Sequence, residues 1–407
     1  MIRMRDLRSV LPRFRTSDEG HRVTTFELFF DLVFVFALTQ VTEFMAHAHS
    51  ATGVLQGLII LGILWWSWTS YSWLGNQTFV DEGLVRTGMS IAMASMFLVA
   101  LVIPESFEDL PGGLHAPLVL AVAYIVVRVA HLVLYLGAAG DDGPLRRQVL
   151  VSVWALALGA IFILAGAVVG GPAQTWLWLT GLVLDGGFTY LTGRGGNWRI
   201  HSAAHWAERY GLIVILALGE SIVAIGVGVA EEPISTPIVF GSIFAIALSV
   251  LLWWLYFDMV AIAAEHALAR LRGSARASLA IDAYTFQHYL IIAGIVISAL
   301  GVEEAMHHVE DAEPFGLFGA AALFGGTALY LAGLGAFWRR TAGYWKIWRM
   351  GGAAVLVALV PVGAAVPALA ALGLVVVVTA LVVIIETRRY AEARAEIRAT
   401  QHAPAVS

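Results

Sequence analysis

The sequence has no cysteine in its 407 residues, which excludes disulfides and thiolate metal sites and leaves the redox compartment unread. Charge is scarce as well: Asp, Glu, Lys and Arg make up 13% of the chain, against roughly 25% in soluble domains. What remains is 59% apolar with a mean hydropathy of +0.80, so a soluble globular class is excluded. The polar/apolar alternation of membrane-barrel strands is missing, which excludes that architecture. There is no Walker loop, Gly-rich dinucleotide turn, nucleophile elbow or HExxH pair, and no soluble stretch long enough to carry one. No enzyme, cofactor or bound metal is therefore expected, and the Gly-rich run Thr192-Gly-Arg-Gly-Gly-Asn197 reads as a linker.

What is present are apolar runs near the ~20 residues that cross a bilayer as a helix, the element that satisfies its own backbone in lipid. Twelve spans are expected, at about 24–46, 52–74, 84–105, 115–138, 147–168, 173–191, 204–229, 236–261, 281–305, 315–337, 349–367 and 369–386. The first 23 residues are basic and polar and lack an apolar core, so they read as a cytoplasmic tail and not a signal peptide. Basic residues crowd that tail (Arg3, Arg5, Arg8, Arg13, Arg15, Arg22) and then the connections after the even-numbered spans from the fourth onward. Those are Arg146 and Arg147; Arg194 and Arg199; Arg270, Arg272 and Arg276; Arg339, Arg340 and Lys346; and Arg388, Arg389, Arg394 and Arg398 at the end. Odd-numbered connections carry acids: Glu105, Glu108 and Asp109; Glu231 and Glu232; Glu310, Asp311 and Glu313. The expectation is a plasma-membrane protein with both termini cytoplasmic, its basic loops facing anionic lipid headgroups and not nucleic acid.

The chain repeats itself. Residues 25–40, TFELFFDLVFVFALTQ, return 180 positions later as HWAERYGLIVILALGE, with Leu32/Leu212, Ala37/Ala217 and Leu38/Leu218 matched and Phe26/Trp206 and Phe30/Tyr210 aromatic in both. Leu64-Trp65-Trp66 similarly returns as Leu252-Trp253-Trp254. The fold expected is an all-α polytopic membrane protein of about twelve transmembrane helices in two parallel six-helix repeats, an arrangement used by transporters. Its parts are a basic tail at 1–23, a first repeat at 24–191, a cytoplasmic linker at 192–203, a second repeat at 204–386 and a cytoplasmic tail at 387–407.

Charges inside spans are costly and normally face the bundle interior. They form an expected layer of Glu27, Asp31, Arg86, Arg128, His131, Asp185, Glu208, Arg209, Asp258 and His288 in the cytoplasmic half. Two readings stand: an ion-pair network that fixes packing, or groups that change partners during a working cycle. Glu27 and Asp31 are one helical turn apart, and Glu27 sits where it can cap its helix. In the repeat, His205 and Arg209 are one turn apart, and Glu220 returns to within about 20° of the Arg209 face on a helical wheel. Glu220 lies about 22 Å into its span by helical rise. Gly219 beside it is expected to admit a neighbouring backbone, and desolvation there disfavours the charged form unless a cation is near. Its counterpart Gln40 cannot titrate. Trp65, Trp66, Trp253 and Trp254, placed within spans, read as packing, as a cavity lining or as faces for a cation. His307 and His308, with Glu303, Glu304 and Glu310, read as a solvated helix end ahead of a weak metal site, since no HExxH pattern is present.

The two leading segments resemble the signatures of the bacterial low temperature requirement protein A family, as do Tyr284-Thr-Phe-Gln-His288 with Gly294, and Gly301-Val-Glu-Glu304. The resemblance covers essentially all twelve spans and places Glu27, Asp31, His205, Glu208, Arg209 and Glu220 on motif positions. It implies a multi-spanning bacterial plasma-membrane protein associated by name with growth in the cold, and no established substrate. The functional expectation is a secondary transporter or ion-coupled carrier for a small solute or ion, with Asp31, Gln40, Arg128, Arg209, Glu220, Asp258 and His288 as pathway residues. The alternatives are a membrane sensor or scaffold and a lipid-modifying enzyme; oligomeric state is not legible.

Overall fold

Long apolar runs punctuated by Pro and by small capping residues dictate where the helices start. In the computed structural model, which describes residues 16–194, 196–230, 232–392 and 394, α4 (Ala116–Ala138), α5 (Gly143–Val169), α6 (Gly171–Gly193) and α8 (Thr236–Phe257) all carry Pro in their first turn. There the missing N–H costs nothing and the fixed φ suits the helix. Asp142 accepts from Leu145 N–H at 3.1 Å and Ser235 from Ile238 N–H at 3.4 Å, supplying side-chain caps.

The remaining long helices are α1 (Thr25–Ala48), α2 (Ala51–Gln77), α3 (Gly83–Leu101) and α7 (Ala203–Val227). Beyond α8 come α9 (Val260–Arg270), α10 (Gly273–Leu279), a π-helical segment (Ala280–Gln287), α11 (His288–His307), α12 (Leu317–Ala342), α13 (Ile347–Ala365) and α14 (Ala368–Arg389). Apart from an isolated bridge between Thr16 and Thr78, the described residues form no strand. Among the described residues, eleven helical spans are long and apolar enough to cross a membrane. The helix on the expected sixth span, α6, is long enough but less apolar, since it carries Gln174, Thr175, Thr180, Asp185 and Thr189. Residues 262–280, expected as a connection, are helical instead: α9 continues from α8 across a break at Asp258-Met259, and α10 runs into the π segment. Arg3, Arg5, Arg8, Arg13, Arg15, Glu231 and Arg398 lie outside the described residues.

The helices are inside-out relative to a soluble fold. On α4, Tyr124, Arg128, His131 and Tyr135 are buried, while Val122, Val126, Val129 and Val133 are exposed at helical spacing. An exposed aliphatic stripe opposite a buried polar one is stable only where the solvent is hydrocarbon.

The chain divides into two compact units. One holds Met1–Ala37, Gly62–Arg209 and Arg272–Ser278; the other holds Leu38–Leu61, Tyr210–Leu271 and Leu279–Ser407. Within the second, α11 and α12 pack backbone to backbone. A Cβ on Gly301 would fall on Leu323 N, one on Gly326 on Ser298 N and one on Gly294 on Tyr330 N. Gly294 and Gly301, like Gly326 and Gly333 opposite them, are seven residues apart, the small-residue seam that lets membrane helices approach closely. Gly219 does not play this part: a Cβ there would meet nothing within 4 Å, which corrects the expectation of a close backbone beside Glu220.

Gly301→Ala is expected to cost roughly 1–3 kcal/mol, because neither backbone can retreat. Gly219→Ala should be neutral or slightly stabilising, as Ala is the better helix former. Thermal unfolding of the two variants in one detergent checks the contrast.

Candidate functional site

The first unit gathers most of the charged layer. α1 opens with a reciprocal cap: Thr24 N–H donates to Glu27 Oε2 at 2.9 Å, and Glu27 N–H donates to Thr24 Oγ1 at 3.2 Å. This leaves Glu27 Oε1 facing α7, where His205 Nε2 lies at 2.9 Å and Arg209 Nε at 3.7 Å. α2 comes close enough for this only because residue 75 is Gly, since a Cβ there would fall on the Glu27 carboxylate. One turn deeper, Asp31 is met by both arms of the Arg209 guanidinium, Nη1 to Oδ2 at 2.6 Å and Nη2 to Oδ1 at 2.9 Å. Trp68 Nε1–H donates to Asp31 Oδ1 at 2.9 Å, and the Arg209 guanidinium lies 5.2 Å from the Trp68 ring. Arg209 is wholly buried and Asp31 is 1% exposed. Charge, geometry and hydrogen bonding all close on themselves, as a bidentate Arg–carboxylate pair in low dielectric requires.

His205 has its tautomer set from behind. Asn76 Oδ1 accepts from His201 N–H at 2.7 Å and its Nδ2 donates to Ser202 C=O at 2.7 Å, so the amide cannot turn over. Nδ2 therefore presents N–H to His205 Nδ1 at 3.2 Å, and the proton of a neutral His205 sits on Nε2, donated to Glu27. His21, stacked on His205 with centroids 4.5 Å apart, brings a third candidate ligand, and the donor atoms of His21, Glu27 and His205 all lie within 4.8 Å of one another. This cluster fits a metal poorly. A ligating imidazole donates its other N–H to an acceptor, whereas the partner of Nδ1 here is itself a donor. Burial, followed by the neighbouring His205, holds the His21 pKa below the ordinary histidine value.

A second pair lies in the same unit. Arg128 on α4 meets Asp185 on α6 at 3.0 Å, Tyr124 O–H donates to the same carboxylate at 3.3 Å, and Arg128 also donates to Ser70. Its guanidinium is 5.6 Å from the Trp66 ring, so Trp66 and Trp68 each offer a face to an arginine, while Trp65 stacks on Trp68 at 5.2 Å. Glu208 is half-buried, accepting from Val23 N–H at 3.3 Å. Arg86 lies exposed, 5.8 Å from the Phe26 ring.

In the second unit Glu220 is 2% exposed and accepts from Thr39 Oγ1 at 2.5 Å. The charge acting on Glu220 is the Glu43 carboxylate, while Glu220, Glu304 and Glu43, opposed by His47, act on Glu303. Among the described residues no Arg or Lys pairs with Glu220. Gln40 Nε2 donates to Glu43 at 3.2 Å, and Glu304 lies 3.5 Å from His49. His288, placed where the π-helical segment ends, accepts from or donates to Tyr256 O–H at 2.9 Å and is boxed by Tyr210, Tyr284 and Phe337. Asp258 stands at the break between α8 and α9, inside the apolar stretch Thr236–Arg270, and pairs with Arg394. Trp253 and Trp254 are 45% and 38% exposed; Trp254 lines an open pocket and offers its ring to Arg394 at 5.6 Å. Sequence reasoning took Lys346 only as a loop cation and did not bring it together with Arg349 and Glu386, a buried cluster in which Glu386 lies 2.6 Å from Arg349 and 3.2 Å from Lys346.

Exposed aliphatic stripes around paired, buried charges define an integral, multi-pass α-helical membrane protein. The family model of the Bacterial low temperature requirement A protein matches residues 22–384, and the chain belongs to that family. It is 30% identical over 321 residues to the Uncharacterized protein RA0937 of Rhizobium meliloti (strain 1021), a match covering 75% of each chain. No solved structure matches.

If the Arg128–Asp185 pair serves packing, Asp185→Leu alone should cost about 3–5 kcal/mol by stranding a buried guanidinium, and adding Arg128→Met should recover most of the loss. Unfolding of the two single variants and the double variant, closed as a thermodynamic cycle, measures the coupling.

Proposed function

We propose that the protein is a secondary carrier that couples a small solute or ion to protons or cations, with Glu220 as the titrating or cation-binding group. The observation that supports this is the environment of Glu220. It is a buried carboxylate within a span, with the Thr39 and Thr42 hydroxyls as donors and Glu43 and Glu303, not cations, as its charged neighbours. Such a group is stable in hydrocarbon when it holds a proton or a cation, and the occupant must come from outside the protein's own side chains. Asp31, Arg209, Arg128 and Asp185 have their charges satisfied, and in this reading they hold the helices while Glu220 works. The carrier has no catalytic residue, and it sits in a bacterial plasma membrane with both termini in the cytoplasm.

A sensor or scaffold is the second reading, favoured by how completely the ion pairs of the first unit close on themselves. It predicts no flux.

Wild-type protein in liposomes loaded with a pH-sensitive dye should discharge an imposed pH gradient on a pulse of Na⁺ or K⁺. Glu220→Gln should lower that rate at least about tenfold, equivalent to about 1.4 kcal/mol, with an unchanged elution profile in detergent. Wild-type rates in Glu220→Gln would sink the role of Glu220, and no flux in the wild type would favour the scaffold.

Orientation is tested separately, helped by the absence of native cysteine. A membrane-impermeant maleimide should label Gly113→Cys in intact cells, and Asp141→Cys only after permeabilisation; both positions are exposed, in connections that carry acids and bases respectively.

A further inference from the structure

The cluster missed at the sequence level lines a pocket of about 290 Å³, measured out to its open mouth, in the second unit. Lys346, Arg349 and Arg394 contribute three cations to its lining, and Asp258 and Glu386 contribute two carboxylates. The balance is one positive charge. Glu386 takes Arg349 Nε at 3.0 Å and Nη2 at 2.6 Å, which leaves Arg349 Nη1 buried with no hydrogen-bond partner among the described residues. A stranded guanidinium N–H in a side chain 1% exposed is a costly arrangement unless something occupies the pocket. Lys346 is held in place by the Trp338 ring at 4.1 Å and the Tyr390 ring at 4.9 Å, so its ammonium is positioned before any ligand arrives.

The surroundings favour one source for the missing anion. Lys346 precedes α13, Glu386 is in the last turn of α14 and Asp258 follows α8, so the pocket opens at helix ends. Trp253, Trp254, Trp345 and Trp348 on these segments are exposed, as interfacial aromatics are. On α14, Val377, Leu381 and Ile384 form an exposed aliphatic stripe at helical spacing that reaches the turn of Thr387, a residue of the pocket wall. We propose that this pocket binds the phosphodiester of an anionic lipid, its single negative charge balancing the pocket and its acyl chains lying along the α14 stripe. Free phosphate shares the head-group chemistry but has no use for the stripe. The site is independent of any proton carried by Glu220.

Lys346 is the sole lysine of the chain, which makes its amine a specific reporter. Burial, reinforced by Arg349 and opposed by Glu386, lowers its pKa to about 8, so it reacts with acylating reagents under mild conditions. The full chain in nanodiscs is treated with a neutral acylating reagent, and Lys346 and the N-terminal amine are read as separate peptides by mass spectrometry. The N-terminal amine reports any general effect of surface charge. Against phosphatidylcholine alone, discs containing phosphatidylglycerol should slow Lys346 relative to the N-terminus by about tenfold, the equivalent of about 1.4 kcal/mol. Millimolar inorganic phosphate in phosphatidylcholine discs should give little protection. Equal protection by inorganic phosphate would overturn the lipid assignment in favour of a soluble anion, and no protection by either would overturn the site. Arg394→Gln, in the pocket lining, should reduce the ratio of the Lys346 rate without phosphatidylglycerol to the rate with it, each measured on the variant; an unchanged ratio would count against a phosphate held among these cations.

Discussion

Arg209 and Asp31 set the terms for everything else in the first unit. A guanidinium with no exposed surface cannot be deprotonated or left bare in hydrocarbon, so it demands a carboxylate in bidentate geometry, and the helices must deliver one. α1 delivers Asp31 and, one turn earlier, the backbone carbonyl of Glu27, which accepts from Arg209 at 3.3 Å. That places Glu27 against His205, fixes the His205 tautomer through Asn76 and draws the 201–202 backbone onto α2. Gly75 is where this chain of requirements meets bulk: α2 can present Asn76 and Trp68 to the site only because the residue between them and the Glu27 carboxylate has no side chain.

The same logic explains what was legible in the sequence. Helix positions follow from runs of apolar residues, which is a local property, and the helix ends fall within a few residues of those runs because Pro and capping side chains mark them. That charges lie in the spans is equally local. Which charge meets which is not, because Asp31 and Arg209 are 178 residues apart and Arg128 and Asp185 are 57 apart. Spacing on one helix could place His205 and Arg209 together on a face, but the acids opposite them come from another helix.

The misreadings have physical causes. The break at Asp258-Met259 was not legible, because α8 and α9 are both apolar and their hydropathy merges across it into one stretch, Thr236–Arg270. A charged residue at such a break lies at a helix end, where Arg394 can reach it. Gly219 looked like a contact because it stands beside a buried acid, but close approach needs a facing backbone. The glycines that have one, Gly294, Gly301, Gly326 and Gly333, are distinguished by their seven-residue spacing on two helices and not by polar neighbours. Arg349 and Glu386 escaped notice, and Lys346 was read only as a loop cation, because each sits near a span end, where a lone charge is ordinary; only folding brings them to one pocket.

Glu220 differs in kind from the paired charges. Its hydrogen bond to Thr39 would be made equally well by an amide oxygen, so a glutamine would keep the contact and avoid the cost of a buried carboxylate. The first copy of the repeated segment carries that amide, at Gln40. Asp31 has no such substitute, because replacing it by an amide leaves Arg209 without its counter-charge. In the proposed carrier, a carboxylate that contributes nothing to packing beyond what its amide would serves for the one property the amide lacks: it can gain and lose a proton or hold a cation. The physical difference between these two acids in the spans therefore separates architecture from activity: Asp31 is needed by its arginine, whereas Glu220 needs something the folded chain does not supply.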